Sequence, residues 1–418
     1  MKVIYAFYSA NRYWKDRNEL LEAYDDLTSS LGDVESYLLF DEANIELPCA
    51  DCLVAVPMSG AVQRRILNDV ANYKCAILYG GYISGNASYK TTDLMAKYNS
   101  APTLMDCWAV LRRERKDVLL ATTKDDLKEK LEILDAYSYV KGANVLKIGE
   151  TEPWVVSNAK NKETYENKFG VNIIEVPQQE LADRYYAAKD SDAQKYIDFF
   201  TANTDGVEEP TNEDLVNACK MAYALEEMMN FYNAKSCAIA CFNLLKTGTT
   251  ACLGSSYIND CTDMSVSCEG DVDSAVTMLF TKHLTSSKLW MANPGIHPDK
   301  TINFSHCTGP INCLNYRNKA ILRNHHESSI GVSLQIEYPL NTTVTAVRIS
   351  NECNDITIQK GITVKGEREN VCRSQMYVKL DDFDKYINTA LGCHQVFAFE
   401  DITRKCRLLA ELFDLNIL

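Results

Sequence analysis

The sequence predicts an α/β chain: two successive parallel-sheet layers, then an antiparallel sheet or small barrel. Three observations carry that reading. From the N-terminus, short apolar runs alternate with longer amphipathic ones, the pattern of a parallel sheet covered by helices. The same grammar starts again after a charged helix at 123–137, "TKDDLKEKLEILDAY". Beyond about residue 300 it gives way to β-branched, alternating runs parted by Asn, Gly and Asp turns.

In the first segment "KVIYAFYS" leads, a polar helix-like stretch follows, and then come "VESYLLF", "CLVAVP", "CAILYGGYI" and "TLMDCWAVL". "GANVLKIGE" opens a new strand, which places a boundary near residue 140. The second segment continues with "FGVNIIEVP", a helix from Glu213 to Tyr232, and "AKSCAIACFNLL". At 265–276, "SVSCEGDVDSAV" breaks an apolar strand at Glu-Gly-Asp and passes at once into an amphipathic run through about His283. This layer is about as long as a flavodoxin-like domain. "SLQIEYPL", "TTVTAVRIS", "ITIQKGITVKGE" and "QMYVKL" form the third segment, closed by "VFAF" and the helix "DITRKCRLLAELFDL". The expected domains are 1–140, 141–300 and 301–418.

With 418 residues, 46% hydrophobic and 24% charged, the composition is that of a globular protein of two or three domains. A formal charge of −14 disfavours nucleic acid and anionic lipid as partners. The densest basic stretch, Arg112-Arg113-Glu114-Arg115-Lys116, is broken by an acid and reads as a solvated face. "MKVIYAFYSANRYWKD" reads as a first strand rather than an export signal, and no apolar run reaches bilayer length, so a cytoplasmic location is expected. The 16 cysteines are then expected to be reduced and mostly buried. Cys49 and Cys52 lack the second pair of a zinc site, and the sequons at Asn86 and Asn341 carry no weight in that compartment. "YGGYISG" and "LLKTGTT" lack the glycine spacing of dinucleotide and phosphate loops. Parallel sheets without a nucleotide signature point to a small polar metabolite.

Glu269 and Asp271 flank a glycine where a buried strand turns into a helix. Acids there suit the positive end of the helix dipole, and a ligand or proton carrier would sit there too. All six histidines lie downstream: His283, His297, His306, His325, His326 and His394. His283 shares a helix face with Val276 and Leu279 and reads as a packed or capping residue. His297 lies in a Pro-Gly loop expected to be solvated, and His325-His326 is a polar pair before a strand. His306 ends the strand "TINFSH" before the turn "CTGP", and His394 lies between a glycine turn and a strand.

Taken in order, "CEGDVDSAVTMLFTKHLT", "LWMANP", "INFSHCTGP", "GVSLQIEYPL", "VCRSQMYVKL" and "LGCHQVFAFEDITRKCRLLAELFDL" resemble the L-fucose isomerase and L-arabinose isomerase family. "LKIGETEPWVVS" and "FGVNIIEVPQQEL" are similar to the start of that family's second domain, so the resemblance runs from about residue 143 to the C-terminus. It implies two flavodoxin-like parallel-sheet domains and a C-terminal antiparallel β-barrel-like domain, assembled as a homo-oligomer, a trimer or hexamer. It implies a sugar ketol-isomerase working through an enediol with a divalent cation, typically Mn²⁺. Carried over by position, Glu269 is a metal ligand and proton carrier, and His394 is the imidazole ligand. The second carboxylate of the family's pair falls at Asn293, in "MANP", which makes Asn293 the third ligand position and a catalytic one. His306 and Arg373, in "SHCTGP" and "VCRSQ", become sugar contacts, with an ion pair inside the barrel as the structural reading of Arg373.

The residue types suit that chemistry. Moving a proton between carbon 1 and carbon 2 of a sugar builds negative charge on both oxygens, which a chelating cation offsets. Carboxylate and imidazole ligands suit Mn²⁺, Mg²⁺ or Fe²⁺. Two carboxylates divide base and acid work, and Asn293 can do neither at neutral pH. Asp271, His306 or a metal-bound water would have to stand in. Gln395 replaces a second histidine of the family motif. Both departures keep open a sugar-binding or regulatory family member without turnover. A transferase or lyase on an anionic sugar ranks last, since no basic cluster is present.

Overall fold

The computed structural model describes residues 1–14, 16–40, 45–80, 98–314 and 316–418. Most of "YGGYISG" and the sequon at Asn86 lie outside them. The chain divides into two compact units, Met1–Ser138 and Tyr139–Leu418.

In the N-terminal unit, five strands form one parallel sheet: β1 Val3–Ser9, β2 Ser36–Phe40, β3 Cys52–Pro57, β4 Cys75–Tyr79 and β5 Val118–Ala121. Their order is β2-β1-β3-β4-β5, the doubly wound flavodoxin-like arrangement. Strands β3 and β4 are buried throughout, which is why they appear as unbroken apolar runs. "TLMDCWAVL" is not a strand. It belongs to the helix Ser100–Glu114, which buries Leu104, Cys107 and Leu111 at helical spacing on one face. The fifth strand, "VLLA", is too short to announce itself. Arg115 also departs from the solvated reading: its guanidinium donates to the carbonyls of Val70, Tyr73 and Lys74 and pairs with Asp117 at 2.9 Å.

The C-terminal unit opens with a second parallel sheet of β6 Asn144–Ile148, β7 Asn172–Val176, β8 Ala234–Ile239 and β9 Ser265–Ser267, in the order β7-β6-β8-β9. It then builds a closed barrel. The next strands are β10 Leu289–Ile296, β11 Ile302–His306, β12 Lys319–Arg323, β13 Ser333–Glu337, β14 Thr343–Ser350, β15 Asp355–Val364, β16 Ser374–Leu380 and β17 Gln395–Ala398. Antiparallel pairings run β16-β11-β10-β17-β14-β15, and β15 returns to β16 to close the ring. Gly361 makes that closure possible, because a Cβ there would stand 2.8 Å from the carbonyl oxygen of Lys379. The first barrel strand begins at Leu289, so the expected division at 300 falls inside the barrel. One apolar core continues from Leu146, Ile148 and Met228 of the α/β layer to Trp290, Phe304, Met376 and Phe397 of the barrel.

The helix Val272–Lys282 joins these two parts. Its residues from Val272 to Thr281 are buried on every side, which needs partners for its polar groups. Thr277 Oγ1 accepts the Ile349 N–H of β14 at 3.1 Å, and Ser236 of β8 donates to the Ala275 carbonyl at 2.8 Å. The start of this helix is where the candidate site lies.

Candidate metal centre

Strand β9 ends at Ser267, and the chain reverses through Cys268, Glu269 and Gly270 before the helix. Glu269 and Gly270 both take positive φ, 61° and 63°. Glycine is required at 270, because a Cβ would lie 2.7 Å from the Thr151 Cα. A glutamate in the left-handed region costs about 1–3 kcal/mol and persists only where its surroundings over-determine it. They do so here. Gly270 N–H donates to the Ile239 carbonyl at 2.9 Å, Glu152 N–H donates to the Glu269 carbonyl at 3.0 Å, and Thr151 Oγ1 donates to the Gly270 carbonyl at 2.8 Å.

That turn points the Glu269 carboxylate between two imidazoles. Its Oε1 stands 3.5 Å from His306 Nε2 and 3.5 Å from His394 Nε2, and its Oε2 accepts the Trp154 Nε1–H at 2.6 Å. All three ligand residues are buried, and their ligand atoms lie within 4.8 Å of one another. Ligands each about 2.0–2.2 Å from one ion stand roughly 3–3.5 Å apart, so the spacing suits a shared cation. This buried Glu/His/His group could hold a metal ion.

His394 is prepared for that role by the residue next along the turn. Asp271 caps the helix, its Oδ1 accepting the Ser274 N–H at 2.8 Å, and its Oδ2 lies 2.7 Å from His394 Nδ1. An ionised carboxylate only accepts, so Nδ1 carries the proton and Nε2 is turned toward Glu269. Nε2 is buried and has no hydrogen-bond partner among the described residues, as expected of a ligand nitrogen. Asp271 in turn meets Arg348 of β14 at 2.7 Å, both fully buried, and Arg348 reaches Asp273 at 3.4 Å. Tyr165 and Ser350 donate to Asp273 at 2.7 and 2.5 Å.

The charges follow from these contacts. Burial pushes the Glu269 pKa up, but the His306 and His394 imidazoles beside it outweigh burial and hold the carboxyl well below its usual range. Burial likewise opposes ionisation of Asp271, and Arg348 and His394 overcome it. Burial lowers the His394 pKa, yet Asp271, Cys393 and Glu269 raise it well above the ordinary imidazole value, so a cation at Nε2 would take the place of a proton. Glu152 behaves differently: burial raises its carboxyl, the Phe242 N–H offsets part of that, and the Glu269 charge raises it further.

The structure therefore brings together Glu269 and His394, and adds His306 as the third member of the group. Asn293 lies on β10, paired with Ser305 and one step beyond the Ala292–Gln395 pair. It is half-buried, and its side chain makes no hydrogen bond among the described residues. Arg373 is committed elsewhere. It donates to the Asn324 carbonyl at 3.0 Å, also to Asn324 Oδ1, and stands 3.9 Å from Glu209. Among the remaining histidines, His283 caps the buried helix and stacks on Tyr139 at 3.8 Å. His297 is half-buried rather than solvated, 2.8 Å from Glu369.

Sequence reasoning missed Trp154, Arg348 and the orienting role of Asp271. Asp271 reads from the sequence as an acid at a helix start and as a stand-in proton carrier; the structure shows the helix cap and adds the contact that orients His394. Arg348 carried a signal in hindsight: a lone arginine inside the apolar alternation of "TTVTAVRIS" needs a buried partner.

No protein-family model matches the chain, and no curated protein matches it. Among the described residues no helix is long and apolar enough to cross a membrane.

Proposed function

We propose that the protein is a metal-dependent aldose–ketose isomerase acting on a pentose or 6-deoxyhexose, of the kind its ordered motifs resemble. The observation that supports this best is the meeting of Glu269, His306 and His394 at one buried point, with His394 Nε2 left free of hydrogen bonds. Oxygen and imidazole donors in this mixture suit Mn²⁺, and such a cation supplies charge stabilisation to the two sugar oxygens during enolisation. The chain's own residues do the rest. Asp271 fixes the His394 tautomer, and Arg348 keeps Asp271 ionised. Trp154 occupies Glu269 Oε2 and so leaves Oε1 to face the imidazoles. Trp154 is itself 52% exposed, which sets an indole at the border between Glu269 and solvent, where a sugar would enter. A cytoplasmic homo-oligomer belongs to the same proposal.

A second reading is favoured by Asn293, which cannot carry a proton: sugar binding without turnover. One experiment separates the two. Candidate aldoses and ketoses are incubated with the protein and Mn²⁺ in D₂O, and deuterium at carbon 1 or 2 is followed by NMR. Exchange supports the isomerase. Saturable sugar binding by calorimetry with no exchange across a broad panel supports the binding protein.

A further inference from the structure

Cys49 and Cys52 have no second pair along the chain, but the fold brings other sulfurs to Cys52. In the sheet of the N-terminal unit, β3 lies between β1 and β4. Cys52 of β3 and Cys75 of β4 are register partners, so their side chains leave the same face side by side, on strands about 4.8 Å apart. Both are buried free thiols. Met1 stands two residues ahead of β1, whose first residue, Val3, pairs with Cys52. Its side chain crosses the start of β3, and its Sδ lies 3.8 Å from Cys75 Sγ. Three sulfurs thus share the amino-terminal edge of one sheet face. The chain end is fastened there. The Met1 amine meets Asp135 at 3.1 Å, Lys2 N–H donates to Asp51 Oδ2 at 2.9 Å, and Asp51 N–H donates to the Lys2 carbonyl at 2.9 Å. A chain terminus ordinarily frays, yet the Met1 side chain is only 4% exposed while the residue as a whole is 40% exposed.

We propose that Cys52, Cys75 and Met1 bind one monovalent copper ion, at a site separate from the Glu269 centre and independent of the isomerase reading. Two thiolates and a thioether are soft ligands, which select Cu(I) over the hard cations suited to carboxylate and imidazole. Sulfurs about 2.3 Å from one ion stand roughly 3.8–4.0 Å apart, and the Cys75–Met1 spacing of 3.8 Å agrees with that. Zinc fits less well. It asks for four ligands, and among the described residues no third Cys, His, Asp or Glu ligand atom joins these two thiols within 4.8 Å. Cys49 is exposed and stays outside the set. Uptake of the ion releases the two thiol protons, and no electron moves. The bound ion ties the chain terminus to β3 and β4.

The test uses the full-length protein, reduced and handled without oxygen. Cu(I) is titrated in competition with bathocuproine disulfonate, a chelator whose colour reports the copper it keeps. We expect the protein to draw one equivalent from the chelator. Cys52→Ser and Cys75→Ser are each expected to weaken uptake at least a hundredfold, while Cys49→Ser leaves it unchanged. Selenomethionine-labelled protein should show one copper–selenium contact beside two copper–sulfur contacts in X-ray absorption at the copper edge. Alkylation in mild urea, mapped by mass spectrometry, needs no variant: copper should shield Cys52 and Cys75 and leave Cys307 and Cys372 as reactive as before. No uptake against the chelator overturns the proposal, as does shielding of other cysteines instead of Cys52 and Cys75. Loss of uptake in Cys49→Ser equal to that in Cys52→Ser overturns it too, by moving the ion to the exposed pair. A copper edge with sulfur contacts alone overturns the part assigned to Met1.

Discussion

Glu269 and Arg373 both belong to the C-terminal unit, and both are charged residues within its recognisable motifs, yet their surroundings are built on opposite plans. Around Arg373 acids, guanidinium groups and an amide are paired with one another. Arg323 pairs with Glu208 at 2.9 Å and with Glu209, Glu209 also accepts the Asn324 N–H, and Arg373 donates twice to Asn324. Hydrogen bonds from Arg323 hold the Glu209 pKa down to about 2. Around Glu269 two imidazole nitrogens and a carboxylate oxygen converge instead, and a buried nitrogen is left without a hydrogen bond among the described residues. Saturated charge fixes architecture. Convergent ligand atoms without hydrogen-bond partners cost free energy and are retained where something binds.

The Arg348 network shares features of both, since it is saturated and also supports the centre. Its removal is expected to have the largest effect. Arg348→Met removes the guanidinium that two buried acids, Asp271 and Asp273, share, and should destabilise the protein by about 3–5 kcal/mol in urea unfolding. An effect below about 1 kcal/mol would show that the buried pair is not an architectural element. Next in size is Glu269→Gln. It removes the charge around which the imidazoles gather, and is expected to weaken Mn²⁺ binding at least a hundredfold by calorimetry while the fold is kept. Unchanged binding would place the cation elsewhere.

The third prediction concerns pH. Burial raises the Asp273 pKa, Arg348 offsets part of that, and the Asp271 charge raises it again, to about 6. A carboxyl raised on folding contributes its stability below its unfolded pKa, near 4, and loses it as pH climbs through 6. Asp271, depressed by Arg348 and His394 against its own burial, contributes in the opposite sense: its share is present above pH 4 and lost on acidification. Asp273→Asn should therefore remove a decline on the order of 2 kcal/mol between pH 4 and 7 from the urea midpoints. A profile parallel to the parent's would mean that Asp273 does not titrate there. The smallest effect is expected at the other pole of the comparison. Arg373→Ala should cost about 1 kcal/mol of stability and leave Mn²⁺ affinity within twofold. A tenfold loss of affinity would join the two regions that the structure keeps apart.

Much of the architecture was legible because it is local. Apolar runs at strand length, alternation at period two in the barrel strands, and the turn residues between them are set by neighbours along the chain. The failures were local as well: "VLLA" is too short to register, and a helix with a wide apolar face, Ser100–Glu114, contributed a strand-like run.

For the site, the sequence by itself determined the acid, the glycine and the helix start at 269–271, because a left-handed turn against Thr151 needs Gly270 and a helix needs its cap at Asp271. It also marked His394 through its motif. Only the tertiary structure decided that His306 joins them and that Arg373 is spent on Asn324 and Glu209. The reason is physical. Which lone pairs share one point depends on how β11, β17 and the turn after β9 pack against each other, and that packing is a property of the closed barrel on its α/β layer rather than of any single stretch of chain.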